Sequence, residues 1–313
     1  MTELHLHLDG SLRPETVWEL GKIQGIDLGA KDVADVKYMM EVPEDCKTLH
    51  DCLERFELPL KVLQTADALE RVSFELVEDL HNINVDYAEI RFAPQLSTEK
   101  GLTQEEVVEA TIKGVKKGMD KYPDIKCGLI LCCMRGENIE DRNLKTVEVA
   151  KKYLGDVVCA IDLAGAESLY PTEMFEKVFE KANEYKLPRT IHCGEAKGPE
   201  SIRKALSYGT KRIGHGVNAI YDEELVKELV EKGVTLEVCV TSNYHTKVVD
   251  SIEKHPMKKL FDAGVRVTVN SDNMTVSNTN IHKEIEILKN KLGFTDADIE
   301  KIQKYAEEAR FLK

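Results

Sequence analysis

The sequence predicts an α/β fold, a (β/α)8 TIM-type barrel with a helical insertion after the first strand. Three observations carry that expectation. Eight short apolar runs recur along the 313 residues. Stretches of roughly 10–20 residues with helical periodicity separate most of them. Histidines or carboxylates stand where several runs give way to Gly, Ser or Asn. Strand and helix in alternation predict a parallel sheet, and eight such units suffice to close it.

The first run, Glu3–Leu8, alternates. A strand has a side-chain period of two, so His5 and His7 share one face while Leu4, Leu6 and Leu8 take the other. Almost eighty residues then precede the second run. They show helical patterning from Pro14, a helix-start proline, to Gln24, and again from Thr48 to about His81. The stretch at about 48–81 is expected to form a helical lid over the barrel mouth. Leu49, Leu53 and Phe56 fall on one face of its first helix, a face that reads equally well as packed core. The later strands are expected at Tyr87–Phe92, Lys126–Met134, Val157–Leu163, Arg189–His192, Arg212–His215, Thr235–Val238 and Arg266–Asn270. Thr103-x-x-Glu106 has the form of a capping box, and Pro171 marks another helix start. With no low-complexity linker, residues 1–313 read as one barrel.

A formal net charge of −13 argues against nucleic acid or an anionic membrane as partner. It also disfavours multiply charged anionic substrates, unless a local basic pocket overrides it; on protein partners the sequence is silent. No run reaches the roughly 18 apolar residues of a membrane span, and no basic segment with an apolar stretch behind it marks export. The eight cysteines contain no C-x-x-C spacing. They read as reduced core residues, and the protein as cytoplasmic.

Two ligating nitrogens on one strand are half of a metal site. The bland reading makes His5 and His7 partly buried residues bonded to backbone. Against it stand His192, His215 and Asp272, each placed where a later run ends. In a barrel of this kind the active site occupies the C-terminal ends of the strands, so all five groups would converge on one mouth. Cys193, next to His192, would point the other way.

Six ordered blocks then resemble the adenosine deaminases of the metal-dependent amidohydrolase superfamily: His5-Leu6-His7-Leu8-Asp9-Gly10-Ser11, Glu89-Ile90-Arg91-Phe92-Ala93-Pro94, Ile161-Asp162-Leu163-Ala164-Gly165, His192-x-Gly194-Glu195-Ala196, Arg212-Ile213-Gly214-His215-Gly216 and Ser271-Asp272. The resemblance runs from Glu3 to about Asn280. It implies hydrolytic deamination of adenosine, and of 2′-deoxyadenosine, to inosine and ammonia. One Zn2+ per chain would be held by His5, His7, His192 and Asp272, although iron, cobalt or manganese also suits these ligands. The metal would bring a water's pKa down toward roughly 7. By the same resemblance His215 orients that water and stabilises its charge, Asp272 accepts its proton, and Glu195 delivers a proton to purine N1 so that C6 becomes electrophilic. Asp9 would bind the ribose 5′-hydroxyl, the Gly165 N–H would reach purine N3, and Leu49, Leu53 and Phe56 would cover the nucleoside. Ser242 would stand behind a ligand.

Three positions depart from the family pattern. Asn273 replaces an aspartate that donates to purine N7; an amide donates without first being protonated, so the contact can survive. Ala166 stands where an aspartate is usual, and Cys52 where the lid is often aromatic. Two other readings remain open. One is deamination of another 6-aminopurine such as adenine, a branch that tends to carry Glu in place of Asp9. The other is a catalytically silent barrel acting as a binding protein. A cytidine-deaminase type of zinc site is unmatched, because it needs H-x-E with P-C-x-x-C. The remaining histidines, His50, His81, His245, His255 and His282, read as surface, helix-end or turn residues.

Overall fold

The computed structural model describes residues 1–43, 46 and 54–312. Its eight strands are β1 (Thr2–His7), β2 (Tyr87–Phe92), β3 (Lys126–Met134), β4 (Val158–Ala164), β5 (His192–Cys193), β6 (Arg212–His215), β7 (Thr235–Val238) and β8 (Arg266–Val269). They pair in parallel in chain order, β1 to β4 and β5 to β8. Two seams close the ring. Between β4 and β5, Ile161 N donates to Pro188 O (3.0 Å) and Thr190 N to Ile161 O (3.1 Å). Between β8 and β1, His7 N donates to Asp272 O (2.7 Å) and Asp272 N to His5 O (2.9 Å). The second seam locks two of the candidate ligand segments together by backbone alone.

Four strands fall where the alternation predicts them to the residue: β2, β3, β6 and β7. The fifth differs. It was expected at Arg189–His192, but the ladder forms only at His192–Cys193, and Arg189 makes a single bridge to Ile161. Pro188 has no N–H to give a ladder, and the Arg189 guanidinium turns back to Leu187 O and Tyr208 O. Thr103 and Glu106 form the expected capping box. Pro171 starts a 3-10 turn, Thr172–Phe175, ahead of the helix Glu176–Glu184.

The long first connection is broken up more than its sequence suggests. After helix Pro14–Gln24 comes a helix at Val33–Met40 that periodicity did not single out. A 3-10 turn at Glu54–Phe56 leads into Glu57–Val62, and Ala66–Asn82 follows after a break. Ala66–Asn82 is a layer helix beside Gln104–Lys121. Gly118 permits the contact, since a Cβ there would fall 2.6 Å from Val77 Cβ. Only the part before it reaches the mouth. Thr48, Leu49, His50, Cys52 and Leu53 lie outside the described residues.

Apolar residues on the outer face of the strands pack under the helices, with Ile90, Leu163, Ile213, Leu236 and Val267 fully buried. The lumen is charged. Arg91 of β2 pairs with Asp162 of β4 (2.7 Å) and Glu237 of β7 (2.7 Å), and Arg212 of β6 pairs with Glu237 (2.6 Å) and Glu89 of β2 (2.5 Å). Pairs between non-neighbouring strands must cross the interior. Each charge is buried, so each needs its partners to offset desolvation.

Candidate active site

A cavity of about 240 Å³ opens at the C-terminal ends of the strands. His7, Asp9, Phe56, Gly165, His192, Glu195, His215, Asp272 and Asn273 all line it. Ligand atoms of His5, His7, His192 and Asp272 lie within 4.8 Å of one another. His7 Nε2 is 3.2 Å from His192 Nε2, and Asp272 Oδ1 is 3.4 Å from His7 Nε2 and 3.5 Å from His5 Nε2. Asp272 and His215 both adopt a left-handed backbone, φ 60° and 59°. Such a conformation is uncommon outside glycine and costs of order 1–3 kcal/mol each; here it turns each side chain off its strand end into the mouth.

The far nitrogens of two rings are tied to buried carboxylates. His5 Nδ1 hydrogen-bonds Glu237 Oε2 at 2.9 Å, and His192 Nδ1 lies in ion-pair contact with Asp162 Oδ2 at 2.8 Å. A histidine that donates from Nδ1 presents a lone pair at Nε2, the arrangement metal ligands commonly show. His5 Nε2 is buried and makes no hydrogen bond. Burial, reinforced by the Arg91 charge, pushes the His5 ring down to about 4, and burial holds His7 well below the usual imidazole range. Both are thus neutral, the form that binds metal. Burial opposes charge on Asp272, but the His5, His7 and His215 rings around it outweigh that and keep the carboxyl well below its ordinary value. Inward-facing lone pairs, a shared carboxylate and an unsatisfied nitrogen fit a divalent cation bound by nitrogen and oxygen.

Around the cluster sit groups able to move protons. Glu195 Oε2 lies 3.6 Å from His215 Nε2, and Glu195 Oε1 accepts from Thr246 Oγ1 (3.1 Å) and Asn243 Nδ2 (3.4 Å). The turn carrying Glu195 is pinned by Glu167, a residue the sequence did not single out. Its Oε1 accepts from Gly194 N (2.8 Å) and Ser201 Oγ (2.6 Å). Its Oε2 accepts from the N–H groups of Glu195 (3.2 Å), Ala196 (2.8 Å) and Lys197 (2.9 Å). Asp9 is enclosed, and burial pushes its carboxyl up to about 6. Gly165 has φ 104°, open to glycine alone in practice.

Leu49 and Leu53 lie outside the described residues; Phe56 lines the cavity beside Leu60. Two of the remaining histidines stand where they were expected, His245 at a helix end and His255 in a turn, but neither is on the surface: His245 lines the cavity and His255 is buried against Asn243. Ser242 also lines the cavity. Glu237, Asp162, Asn243 and Glu167 were missed too. A lone carboxylate within an apolar strand, as in Leu236-Glu237-Val238, was the available signal for the first.

Comparison with known proteins agrees in one direction. The family model described as adenosine deaminase matches residues 1–313. A curated adenosine deaminase from Clostridium perfringens is 45% identical over 310 residues, covering 99% of this chain and 93% of that protein. One from Haemophilus ducreyi is 42% identical over 313 residues, covering 99% and 91%. Among solved structures, an adenine deaminase from Arthrobacter aurescens superposes with a TM-score of 0.90 at 28% identity, covering 100% of this chain and 94% of that one. The apo N6-methyl-AMP deaminase from Arabidopsis thaliana gives 0.86 at 28% identity, covering 100% and 92%.

Proposed function

The chain belongs to the adenosine deaminase family and its reaction is the hydrolytic deamination of adenosine; we propose that one zinc ion per chain, held by His5, His7, His192 and Asp272, serves it. Four donors gathered within 4.8 Å beside Glu195 are the observation that carries this reading. Bound there, zinc supplies the Lewis acidity that makes water a nucleophile near neutral pH.

The chain's own groups do the rest. Glu195 gives its proton to purine N1, which draws electron density from C6. His215 Nε2 faces the cavity and stabilises the charge that develops on the attacking oxygen. Asp272 accepts the proton that the water loses. Asp9 receives the ribose 5′-hydroxyl, the Gly165 N–H meets purine N3, and the Asn273 amide meets N7. Phe56, beside Leu60, covers the base, making the described stretch Glu54–Val62 a lid on a single barrel domain.

We assign adenosine and 2′-deoxyadenosine as substrates in preference to a nucleotide. Among the described residues lining the cavity there is no Lys or Arg, whereas Asp9, Glu167, Glu195 and Asp272 are acidic. A 5′-phosphate would meet no compensating charge there. We place the protein in the cytoplasm: Cys127, Cys132, Cys133, Cys159, Cys193 and Cys239 are buried free thiols, as a reducing compartment favours, and no helix among the described residues is long and apolar enough to cross a membrane.

The test is ammonia release from adenosine, 2′-deoxyadenosine, adenine and AMP, with bound metal quantified in the same preparation. Adenosine should be the best of the four, with one zinc per chain. Adenine as the better substrate would refute the ribose contact at Asp9.

A further inference from the structure

His215 faces the cavity with Nε2 and Asn243 with Nδ1, which lies 3.1 Å from Asn243 Nδ2. Which ring nitrogen holds the proton decides whether His215 can donate toward the reacting atoms. The assignment follows from the far end of a short buried chain of contacts. Met257 opens the helix Met257–Asp262, so its N–H has no acceptor within that helix. It donates instead to His255 Nδ1 at 3.2 Å. That nitrogen must carry a lone pair, which places the proton of the neutral ring on Nε2. Burial keeps the ring neutral, pushing it down to about 3, with the nearby His215 adding to the effect.

His255 Nε2 therefore donates to Asn243 Oδ1, 3.2 Å away. This fixes the amide the only way round that satisfies it, with Nδ2 toward the active site. An amide nitrogen only donates, so His215 Nδ1 accepts. The second hydrogen on Nδ2 is directed to Glu195 Oε1 at 3.4 Å.

We propose that His255, acting through Asn243, is a positioning residue that holds His215 as its Nε2–H tautomer and makes Glu195 Oε1 an acceptor, leaving Oε2 to carry the acid proton. The inference rests on the reading of Glu195 as the acid. His215 then enters the reaction as a hydrogen-bond donor and not as a base, and Asp272 is left as the proton acceptor. Oε2 is also the Glu195 oxygen closer to His215 Nε2, at 3.6 Å, so both donors present themselves on the same side of the cavity.

Two-bond 1H–15N correlations on zinc-loaded protein labelled at histidine test the assignment directly, with the His215 signals identified by their loss in His215→Gln. The expected spectrum has an unprotonated Nδ1 and a protonated Nε2. A protonated Nδ1 overturns the proposal whatever the enzyme's substrate, whereas an inactive Glu195 assignment would leave this spectrum unchanged. In kinetics, His255→Leu removes the donor and should lower kcat by about ten- to a hundred-fold, with KM for adenosine and zinc content unchanged. His255→Gln, whose amide N–H can reach Asn243 Oδ1, should recover most of that loss. Equal losses in the two variants, or a KM that moves with kcat, would reduce His255 to packing and overturn the relay.

Discussion

Glu237 Oε2 lies 2.9 Å from His5 Nδ1, and neither side chain is exposed to solvent. The same carboxylate accepts from Arg91 at 2.7 Å and Arg212 at 2.6 Å. One acid thus orients a candidate metal ligand and neutralises two guanidinium groups in the barrel lumen. Ligand geometry and barrel stability are coupled through it.

Glu237→Gln should therefore have two separable effects. Zinc affinity should fall about 10- to 100-fold, because the ring loses the partner that fixes its tautomer. Stability should fall by about 3–5 kcal/mol, since two buried cations lose their shared counter-charge. Competition with a chromophoric chelator reads the first, and urea unfolding of the metal-free protein reads the second. A destabilised protein with undiminished zinc affinity would assign Glu237 to the ion pairs alone.

Metal binding and proton delivery should also come apart by mutation. His192→Ala removes a donor at the cavity wall and should strip zinc and activity while the far-ultraviolet circular dichroism stays that of a folded barrel. Glu195→Gln keeps the side chain's size but has no acidic proton. Zinc should stay, and kcat should fall roughly 10²–10⁴-fold or further. Metal analysis beside a steady-state assay decides both. Near-native kcat in Glu195→Gln would remove it from the role of acid.

Most of the strands were legible because they are short apolar runs that soon give way to Gly, Asn or Pro, so that His7, His192, His215 and Asp272 mark the strand ends, or the residues just past them, without any structure. What lay beneath them was not. Asp162, Arg91 and Glu237 meet through the lumen from strands that are not neighbours, and sequence spacing carries no record of a cross-barrel contact. Asn243 and His255 stand twelve positions apart and meet through a side-chain hydrogen bond that their spacing does not announce. The insertion was the least legible element, because its helical periodicity runs on through Leu63–Thr65, where the chain in fact breaks between Glu57–Val62 and Ala66–Asn82.

Glu167 offers a prediction about the loop that carries the acid. Its two oxygens accept from four consecutive backbone N–H groups, Gly194 to Lys197, and from Ser201. Glutamine has one accepting oxygen, so Glu167→Gln turns an amide N–H2 against donors. Each buried donor left unsatisfied costs about 1–3 kcal/mol. The Glu195 turn should loosen. Amide hydrogen exchange should quicken at Gly194 to Lys197 and kcat should fall, while zinc stays bound through ligands outside the turn. Protection retained throughout that turn would show the carboxylate to be dispensable for it.

Asn273 supplies the sharpest test of purine recognition. It is 7% exposed, lines the cavity, and has an Oδ1 with no hydrogen-bond partner. That oxygen sits against Gly10, where an added Cβ would fall 1.9 Å from it, so the amide is seated by the absence of a side chain at Gly10. If the amide donates to purine N7, then 7-deazaadenosine, which lacks that acceptor, should be the poorer substrate. Asn273→Ala should cost roughly 1–3 kcal/mol in transition-state binding with adenosine, because N7 is then buried without a donor. With the deaza substrate the same substitution should cost little more, the contact being absent already. Asn273→Asp should stay active but decline more steeply as pH rises, since its carboxyl must be protonated to donate. The two substrates and two proteins form a cycle whose coupling energy isolates the contact. Equal losses from Asn273→Ala on both substrates would mean that Asn273 holds the adjoining Asp272 in place and does not touch the purine.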